Sequence, residues 1–399
     1  MRTIIHLDLD AFFCAVEEQR DPALHGRAFA VGGRPDARGV VASCSYAARQ
    51  FGVHSALPMA RAIALCPDLI VVPPDFSAYR AASALVMQRL HALTPLVEQI
   101  SIDEAFLDVS ALGDSGVALA ASLQASIRSE LDLSCSIGVA TNKLVAKIAT
   151  DVGKAAVRSG LSPSAVCVVP PGDEAAFLAP LPALALWGVG PKTGERLAAL
   201  GITTIGDIAA WPEAELVRFF GKHGADLWRH AQGIDQRPII TAHEAKSISQ
   251  ETTFSRDVRD PALLRQTLRE QAATIGRKLR YKQLGGTTIK LKIRWPDFTT
   301  PTRQLTLAAP TDRDDEIADA ALHLFAQIWR EGQPVRLIGV GIGGLGDTPR
   351  QLGLWDAPAV DHAQQRRVKA TLDAVRSKFG SGAVHRASEL EMPAHEGDS

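Results

Sequence analysis

Two short segments, IIHLDLDAFF at 4–13 and SIDEAFLDV at 101–109, set carboxylates inside runs of β-branched and apolar residues. An acid in such surroundings is costly to bury unless positive charge meets it, so a fold for this chain has to bring cations to both segments. Asp8 and Asp10 stand two apart in an alternating run, which projects both from one strand face, opposite Leu7 and Leu9. Asp103 and Glu104 are adjacent; a flat strand aims them oppositely, and a turn or twist lets both reach one point. Clustered hard oxygen donors suit Mg²⁺, with substrate phosphates and water completing its shell. Taken alone, either segment fits a half-exposed strand with solvated acids better than a metal site. The motifs that accompany them favour the metal site.

At 399 residues the chain exceeds one ordinary core, so two to four domains are expected. A hydrophobic content of 46% with 22% charged residues describes a soluble globular protein. The net charge of −1 carries no global signature of nucleic-acid binding, so a basic surface has to be local. Cys14, Cys44, Cys66, Cys135 and Cys167 are odd in number and form no CxxC pair, which argues against a disulfide framework or zinc site. Asp8 and Asp10 interrupt the N-terminal apolar run, unlike a secretory signal, and no apolar stretch reaches the length of a membrane span. A cytoplasmic protein with no membrane partner is expected.

The first 170 residues read as mixed α/β, strand-like runs such as AFAVGG, GVVASCS, LIVVPP, EQISIDEAFLDV and LSCSIGVAT alternating with Ala-rich helical stretches. Between about 175 and 232 the strand signals give way to short helices joined by glycines, and a polar connector, GIDQRPIITAHEAKS, leads to a second α/β segment at 246–346. Beyond about 347 a Pro- and Gly-punctuated tail precedes one amphipathic helix, with Val368, Leu372, Val375 and Phe379 on one face.

Within the helical segment, Gly188 and Gly190 flank a tight turn, Pro191 opens a short helix and Gly201 follows its end. The outward amides of such a helix, with Lys192 beside them, bind phosphate oxygens without reading sequence; FFGKHGADLW is a weaker second copy. The second α/β segment concentrates Arg277, Lys278, Arg280, Lys282, Lys290, Lys292, Arg294 and Arg303 against one acid, Asp297. Lys290, Lys292 and Arg294 alternate with Ile289, Leu291 and Ile293, making one sheet face cationic, and the basic neighbouring helix points to a phosphate-tracking surface. Tyr46 and Tyr79 each lie close to an arginine, Arg49 and Arg80, an arrangement suited to a triphosphate because Arg grips phosphate in a bidentate way.

The ordered series DxDxFF, SYAARxFGV, SIDEAFLDV, SIGVATNKLVAKIA, a GVG helix-hairpin-helix and a small basic α/β domain resembles the Y-family DNA polymerases, closest to the bacterial DinB type, from residue 1 to about 346. The resemblance implies an α/β (α+β) multidomain right hand: palm 1–10 and 78–170, fingers 11–77, helix-hairpin-helix thumb 171–232, linker 233–245, little finger 246–346 and tail 347–399. It implies low-fidelity, template-directed DNA synthesis past lesions without a proofreading exonuclease, by nucleotidyl transfer from dNTP to a primer 3′-hydroxyl with two Mg²⁺ ions. By the same resemblance Asp8, Asp103 and Glu104 are the catalytic metal ligands with the Leu9 carbonyl, and Phe13 is the steric gate under the incoming sugar, with Tyr79 stacked behind it. Tyr46 and Arg49 hold the β- and γ-phosphates, the backbone at Phe12 and Phe13 offers N–H groups to them, and Ser43 is a small hydroxyl nearby. Lys154 is carried over as a triphosphate contact although GKAAVRSGLSPS replaces the family's usual KPxG. In the tail, Gln351, Leu352, Leu354 and Trp355 resemble the peptide by which bacterial polymerases dock on the sliding clamp. Primer-template DNA, dNTPs and the clamp are the implied partners of a monomer. A catalytically dead DNA-binding adaptor and a two-metal nuclease are the rival classes, the first predicting lost carboxylates and the second degrading primers without nucleotides.

Overall fold

The computed structural model describes residues 2–113, 115–157, 162–242 and 244–347, with Thr371, Val375 and Lys378 beyond them. It divides into two compact units, 1–244 and 245–399. The first opens with β1 (Ile4–Leu9), α1 (Phe12–Arg20), β2 (Phe29–Gly32), β3 (Val41–Cys44), α2 (Tyr46–Arg49), α3 (Met59–Leu65) and β4 (Ile70–Val72). It continues with α4 (Phe76–Leu93), β5 (Val97–Gln99), β6 (Glu104–Asp108), α5 (Gly116–Leu131), β7 (Cys135–Ala140), α6 (Lys143–Ala156) and β8 (Val166–Val168).

A five-stranded sheet in the order β5-β6-β1-β7-β8 forms the centre, with β1 antiparallel to both neighbours. The alternation in β1 does what its sequence requires. Ile5, Leu7 and Leu9 enter the core beneath α4 and α5, whereas Ile4 joins Phe106 and the Leu144, Val145 and Ile148 face of α6. Asp8 has the parity of Ile4 and therefore leaves the sheet on the α6 side. The run EQISIDEAFLDV, expected as one strand, is instead a hairpin: β5 pairs back on β6 with Val97 opposite Leu107. Ser101 turns the chain, its hydroxyl accepting from the amides of Asp103 and Glu104 at 3.3 and 3.0 Å. Helix α6 lies unusually close to the sheet because Gly138 of β7 has no side chain; a Cβ there would stand 1.9 Å from the Ala146 carbonyl oxygen. A smaller sheet, β3-β2-β4, carries α2 and α3 over its own core of Ala30, Val41, Met59 and Ala62.

Five helices follow: α7 (Glu174–Leu178), α8 (Pro191–Ala199), α9 (Ile205–Ala210), α10 (Glu213–Phe220) and α11 (Lys222–Ala231). Gly188 and Gly201 take φ of 103° and 77°, conformations that glycine alone adopts readily, at the turn before α8 and just past its end. Neither α8 nor α11 has a side-chain cap at its N-terminus, where Gly190 and Gly221 stand.

The expected connector is fastened along its first half. Asn142 donates to the Gly233 carbonyl at 2.8 Å, Arg2 to the Arg237 carbonyl at 2.6 Å, and the Leu144 amide to Asp235 Oδ2 at 3.2 Å. Ile240 N donates to Glu98 Oε2 at 2.8 Å, the same oxygen that receives Lys143 Nζ at 2.8 Å in a nearly buried ion pair.

The second unit holds β9 (Ser247–Val258), α12 (Pro261–Lys282), β10 (Leu284–Arg294), β11 (Thr302–Thr311), α13 (Asp314–Ile328), β12 (Val335–Gly343) and β13 (Gly346–Asp347). Its sheet runs β11-β10-β12-β9, all antiparallel, and Ile289, Leu291 and Ile293 are fully buried against α12 and α13. The basic helix α12 thus lies on the side of the sheet away from Lys290 and Lys292. Because α12 covers the apolar face, its cations belong to the opposite layer, and Arg280 is bound to Asp314 of α13 at 2.7 Å.

Candidate active site

The end of β1 and the start of α1 make the floor of a cleft of about 270 Å³. Ala11 takes a left-handed φ of 44°, which ends the strand and starts α1 with no side chain capping its first amides. Asp8, Leu9, Phe12, Phe13 and Asp103 line the cleft from this side; Ser43, Arg49 and Lys154 line it from the others. Leu9 N donates to the Asp103 carbonyl at 3.0 Å, fixing Asp103 beside the strand end.

The acids are met by cations, as their surroundings demand. Asp8 is directly opposite Glu104 in the ladder, a like-charge pair that is unfavourable without compensation. Helix α6 supplies it: Lys147 Nζ lies 2.9 Å from Glu104 Oε1, and Lys154 is hydrogen-bonded to Asp8 and 3.4 Å from Asp10 Oδ1. Burial nevertheless pushes the Asp8 carboxyl up to about 7 against the pull of Lys154, with the neighbouring Glu104 adding to the rise. Asp103 is held differently, by the Ser101 hydroxyl at 2.5 Å. Asp103 and Glu104 therefore point to different partners, and no three acids, histidines or cysteines among the described residues stand together as a metal site.

Asp10 is almost completely buried and is satisfied by a set of small donors: the Ser134 and Ser136 hydroxyls at 2.8 Å each, and Ser164 N at 3.1 Å. Sequence reasoning did not find these partners, which lie more than a hundred residues away. Lys147 was also missed, though its signal was present, since Lys143, Lys147 and Lys154 recur at helical spacing along one side of α6.

The aromatic residues form two contact pairs near the cleft. Phe13 stacks on Tyr79 with ring centroids 4.3 Å apart and planes 11° from parallel, and Tyr79 is fully buried behind it. The Arg49 guanidinium lies over the Tyr46 ring, 4.5 Å from its centroid. Burial raises both phenols well above the usual tyrosine range, Asp10 adding to the rise at Tyr46 and the hydrogen bond to Glu17 at Tyr79. Ser43 is buried at the cleft wall, 3.6 Å from Cys14 Sγ. All five cysteines are free.

The remaining candidates lie elsewhere. Gly188, Gly190 and Lys192 are exposed at the start of α8. On the open face of the second unit Lys290 is exposed, Lys292 reaches across Gly339 to Glu251 at 2.7 Å, and Arg294 donates to Thr300 at 3.0 Å. Glu251 thus offsets part of the charge that the strand pattern alone implied. Gln351, Leu352, Leu354 and Trp355 lie outside the described residues.

Comparison with known proteins places this cleft in a class. Residues 7–151 match the impB/mucB/samB family, residues 245–354 its C-terminal domain, and residues 185–235 the thumb domain of DNA polymerase-iota. A DNA polymerase IV of Streptomyces coelicolor is 43% identical over 91% of this chain and 75% of its own length. One of Dehalococcoides mccartyi is 39% identical over 98% of both chains. Among solved structures, a Y-family DNA polymerase chimera has a TM-score of 0.74 at 26% identity, covering 86% of this chain and 99% of its own. The DinB protein of Sulfolobus solfataricus has a TM-score of 0.57 at 27% identity, covering 86% and 98%. The chain belongs to the impB/mucB/samB family, the Y-family of DNA-directed DNA polymerases that carry out translesion synthesis. Its mixed α/β architecture, with a helix-hairpin-helix thumb beside palm and fingers, is that family's. No described helix is long and apolar enough to cross a membrane.

Proposed function

We propose that this chain joins a dNTP to the 3′-hydroxyl of a primer paired to a template, in the cleft at the end of β1. The observation that carries the reading is the Phe13 ring, stacked on buried Tyr79, in a cleft it shares with Asp8, Asp103 and Arg49. We assign palm to 1–10 and 78–170, fingers to 11–77, thumb to 171–232 and little finger to 246–346, joined by 233–245.

The donor chemistry suits Mg²⁺, with Asp103 having to leave the Ser101 hydroxyl to join the other carboxylates. Asp8 and Glu104 face each other across neighbouring strands, and both already hold an ammonium group, so the local field asks for cations. Asp8, Asp103, Glu104 and the Leu9 carbonyl are the hard oxygen donors that would hold the metal. When bound, such ions activate the attacking hydroxyl and neutralise the leaving pyrophosphate.

The chain's own groups do the rest. The uncapped amides of Phe12 and Phe13 at the start of α1 receive phosphate oxygens, and Tyr46 with Arg49 grips the β- and γ-phosphates, Ser43 beside them. Lys154, at the cleft wall, moves between Asp8 and the triphosphate. The flat Phe13 ring lies under the sugar, where a 2′-hydroxyl would collide with it. Fingers built on a three-stranded sheet and two short helices enclose the new base pair loosely, so shape-based rejection of mispairs is weak. Amides at Gly188 and Gly190, with Lys192, and the cations Lys290, Lys292 and Arg294 would grip DNA phosphates. The peptide at Gln351–Trp355 would dock on the sliding clamp.

Primer extension with the Asp103→Ala protein tests the assignment. Incorporation is expected to vanish while DNA binding stays near its original strength, because the phosphate grip lies elsewhere. Extension at the original rate would remove Asp103 from the reaction.

A further inference from the structure

The stack of Phe13 on Tyr79 has a second fastening one helical turn away. Phe13 and Glu17 stand four apart on α1, and Asp75 and Tyr79 stand four apart at the start of α4, so each pair shares a helix face. The Tyr79 hydroxyl donates to Glu17 Oε1 at 2.5 Å. Arg20 donates to both Glu17 oxygens, at 3.1 and 2.9 Å, and reaches Asp75 Oδ2 at 2.9 Å. Asp75 in turn caps α4, its Oδ1 accepting from the amides of Ser77 and Ala78 at 3.0 and 3.2 Å. The circuit closes: ring stack at one end, charged network at the other, with the two helices between.

Its chemistry bears on the sugar. A stacked ring contacts its neighbour through dispersion alone, which barely resists sliding or tilting in the plane. The bond from the phenol to an ionised, buried acceptor resists both, and at 5% exposure Glu17 has little water to compete for it. Nothing in the bond-forming chemistry needs Glu17, whose carboxylate is fully engaged by Tyr79 and Arg20. We propose that Glu17 is a positioning residue for sugar selection: by anchoring Tyr79 it fixes the depth of the Phe13 ring and so sets discrimination against ribonucleotides. This rests on the reading of Phe13 as the gate.

The experiment is single-nucleotide incorporation on the full chain, comparing kcat/KM for a dNTP with that for the matching rNTP. Tyr79→Phe keeps the ring and loses the tether; Glu17→Ala loses the acceptor; Glu17→Gln keeps an acceptor oxygen. Tyr79→Phe and Glu17→Ala are each expected to lower the dNTP/rNTP ratio by roughly 10-fold or more, the worth of one bond to a charged group. Glu17→Gln should restore most of the ratio, and the double variant Glu17→Ala/Tyr79→Phe should be no worse than the weaker single variant, since both remove the same bond. Equal losses for both nucleotides, leaving the ratio unchanged, would reduce Glu17 to a structural role and overturn the proposal; so would additive losses in the double variant. Should Glu17→Ala fail to fold, Tyr79→Phe alone decides, because an unchanged ratio there refutes the tether. Phe13→Val separates the two readings. If it admits ribonucleotides while the tether variants do not, the inference fails alone; if it does not admit them, the gate assignment falls and takes the inference with it.

Discussion

Lys143→Met is the substitution whose cost the first unit reveals most directly. Lys143 and Glu98 form a pair whose side chains are only 3% and 11% exposed, and Glu98 also accepts from the Ile240 amide. Removing the ammonium takes the hydrogen-bonded cation away from a nearly buried carboxylate. Breaking a buried pair from one side costs about 3–5 kcal/mol, because the remaining charge keeps its desolvation penalty. In a unit of this length each kcal/mol lowers the melting temperature by about 2–4 °C, so a fall centred near roughly 10 °C is expected. Calorimetry on the full chain, following the transition of the first unit, reads it. Lys143→Met/Glu98→Gln removes the buried charge and keeps an acceptor for Ile240, and should recover most of the loss. A fall of less than about 2 °C in the single variant would show that the pair behaves like a solvated surface bridge. A double variant as unstable as the single one would refute the reasoning from stranded charge.

Lys290→Ala should flatten the log–log salt dependence of DNA binding by up to about 0.9, whereas Glu251→Gln, by releasing Lys292, should strengthen binding; an unaltered slope in the first would remove Lys290 from the phosphate grip. Asp207, whose Oδ2 accepts from the amides of Thr203 and Thr204 and from the Thr203 hydroxyl, has its carboxyl drawn down to about 2. Its contribution to the cap of α9 is thus complete above the ordinary carboxylate value of about 4 and lost as pH falls through 2. An NMR titration midpoint near the ordinary value would contradict this, and Thr203→Val should move the midpoint upward. Replacing Leu354 and Trp355 with alanine should abolish stimulation by the sliding clamp while leaving basal extension intact, and equal stimulation of both proteins would dismiss the peptide.

What could be read in the sequence divides along a physical line. Period-two alternation is local, so the faces of β1 and β10 were legible, down to Leu7 opposing Asp8 and Leu291 turning inward between the outward Lys290 and Lys292. The resemblance set Tyr79 behind Phe13 and paired Tyr46 with Arg49, and the structure holds each of these two pairs in contact. The hairpin at Ser101 was read as one strand because no glycine, proline or asparagine marks the bend and the turn is made by a single hydroxyl. The serines around Asp10 were beyond reach, since nothing local marks a serine as the partner of an acid so distant in the chain. The side on which the basic helix packs follows from the same alternation. An apolar sheet face has to be covered, so α12 could pack only on the side away from the lysines of β10.

Gly138 gives the cleft a determinant with no functional group at all. The missing Cβ sets the height at which α6 rides over the sheet, and Lys147 and Lys154 are fixed to that helix while Glu104 and Asp8 are fixed to the strands. The gap at Gly138 thus acts as a spacer that gauges two charge separations at once. A single added methyl would lift the helix and lengthen both contacts together, with every acid and every lysine still in place. Mutational tolerance around this cleft should therefore follow distance as much as chemistry: a position that touches nothing reactive is among those least free to change.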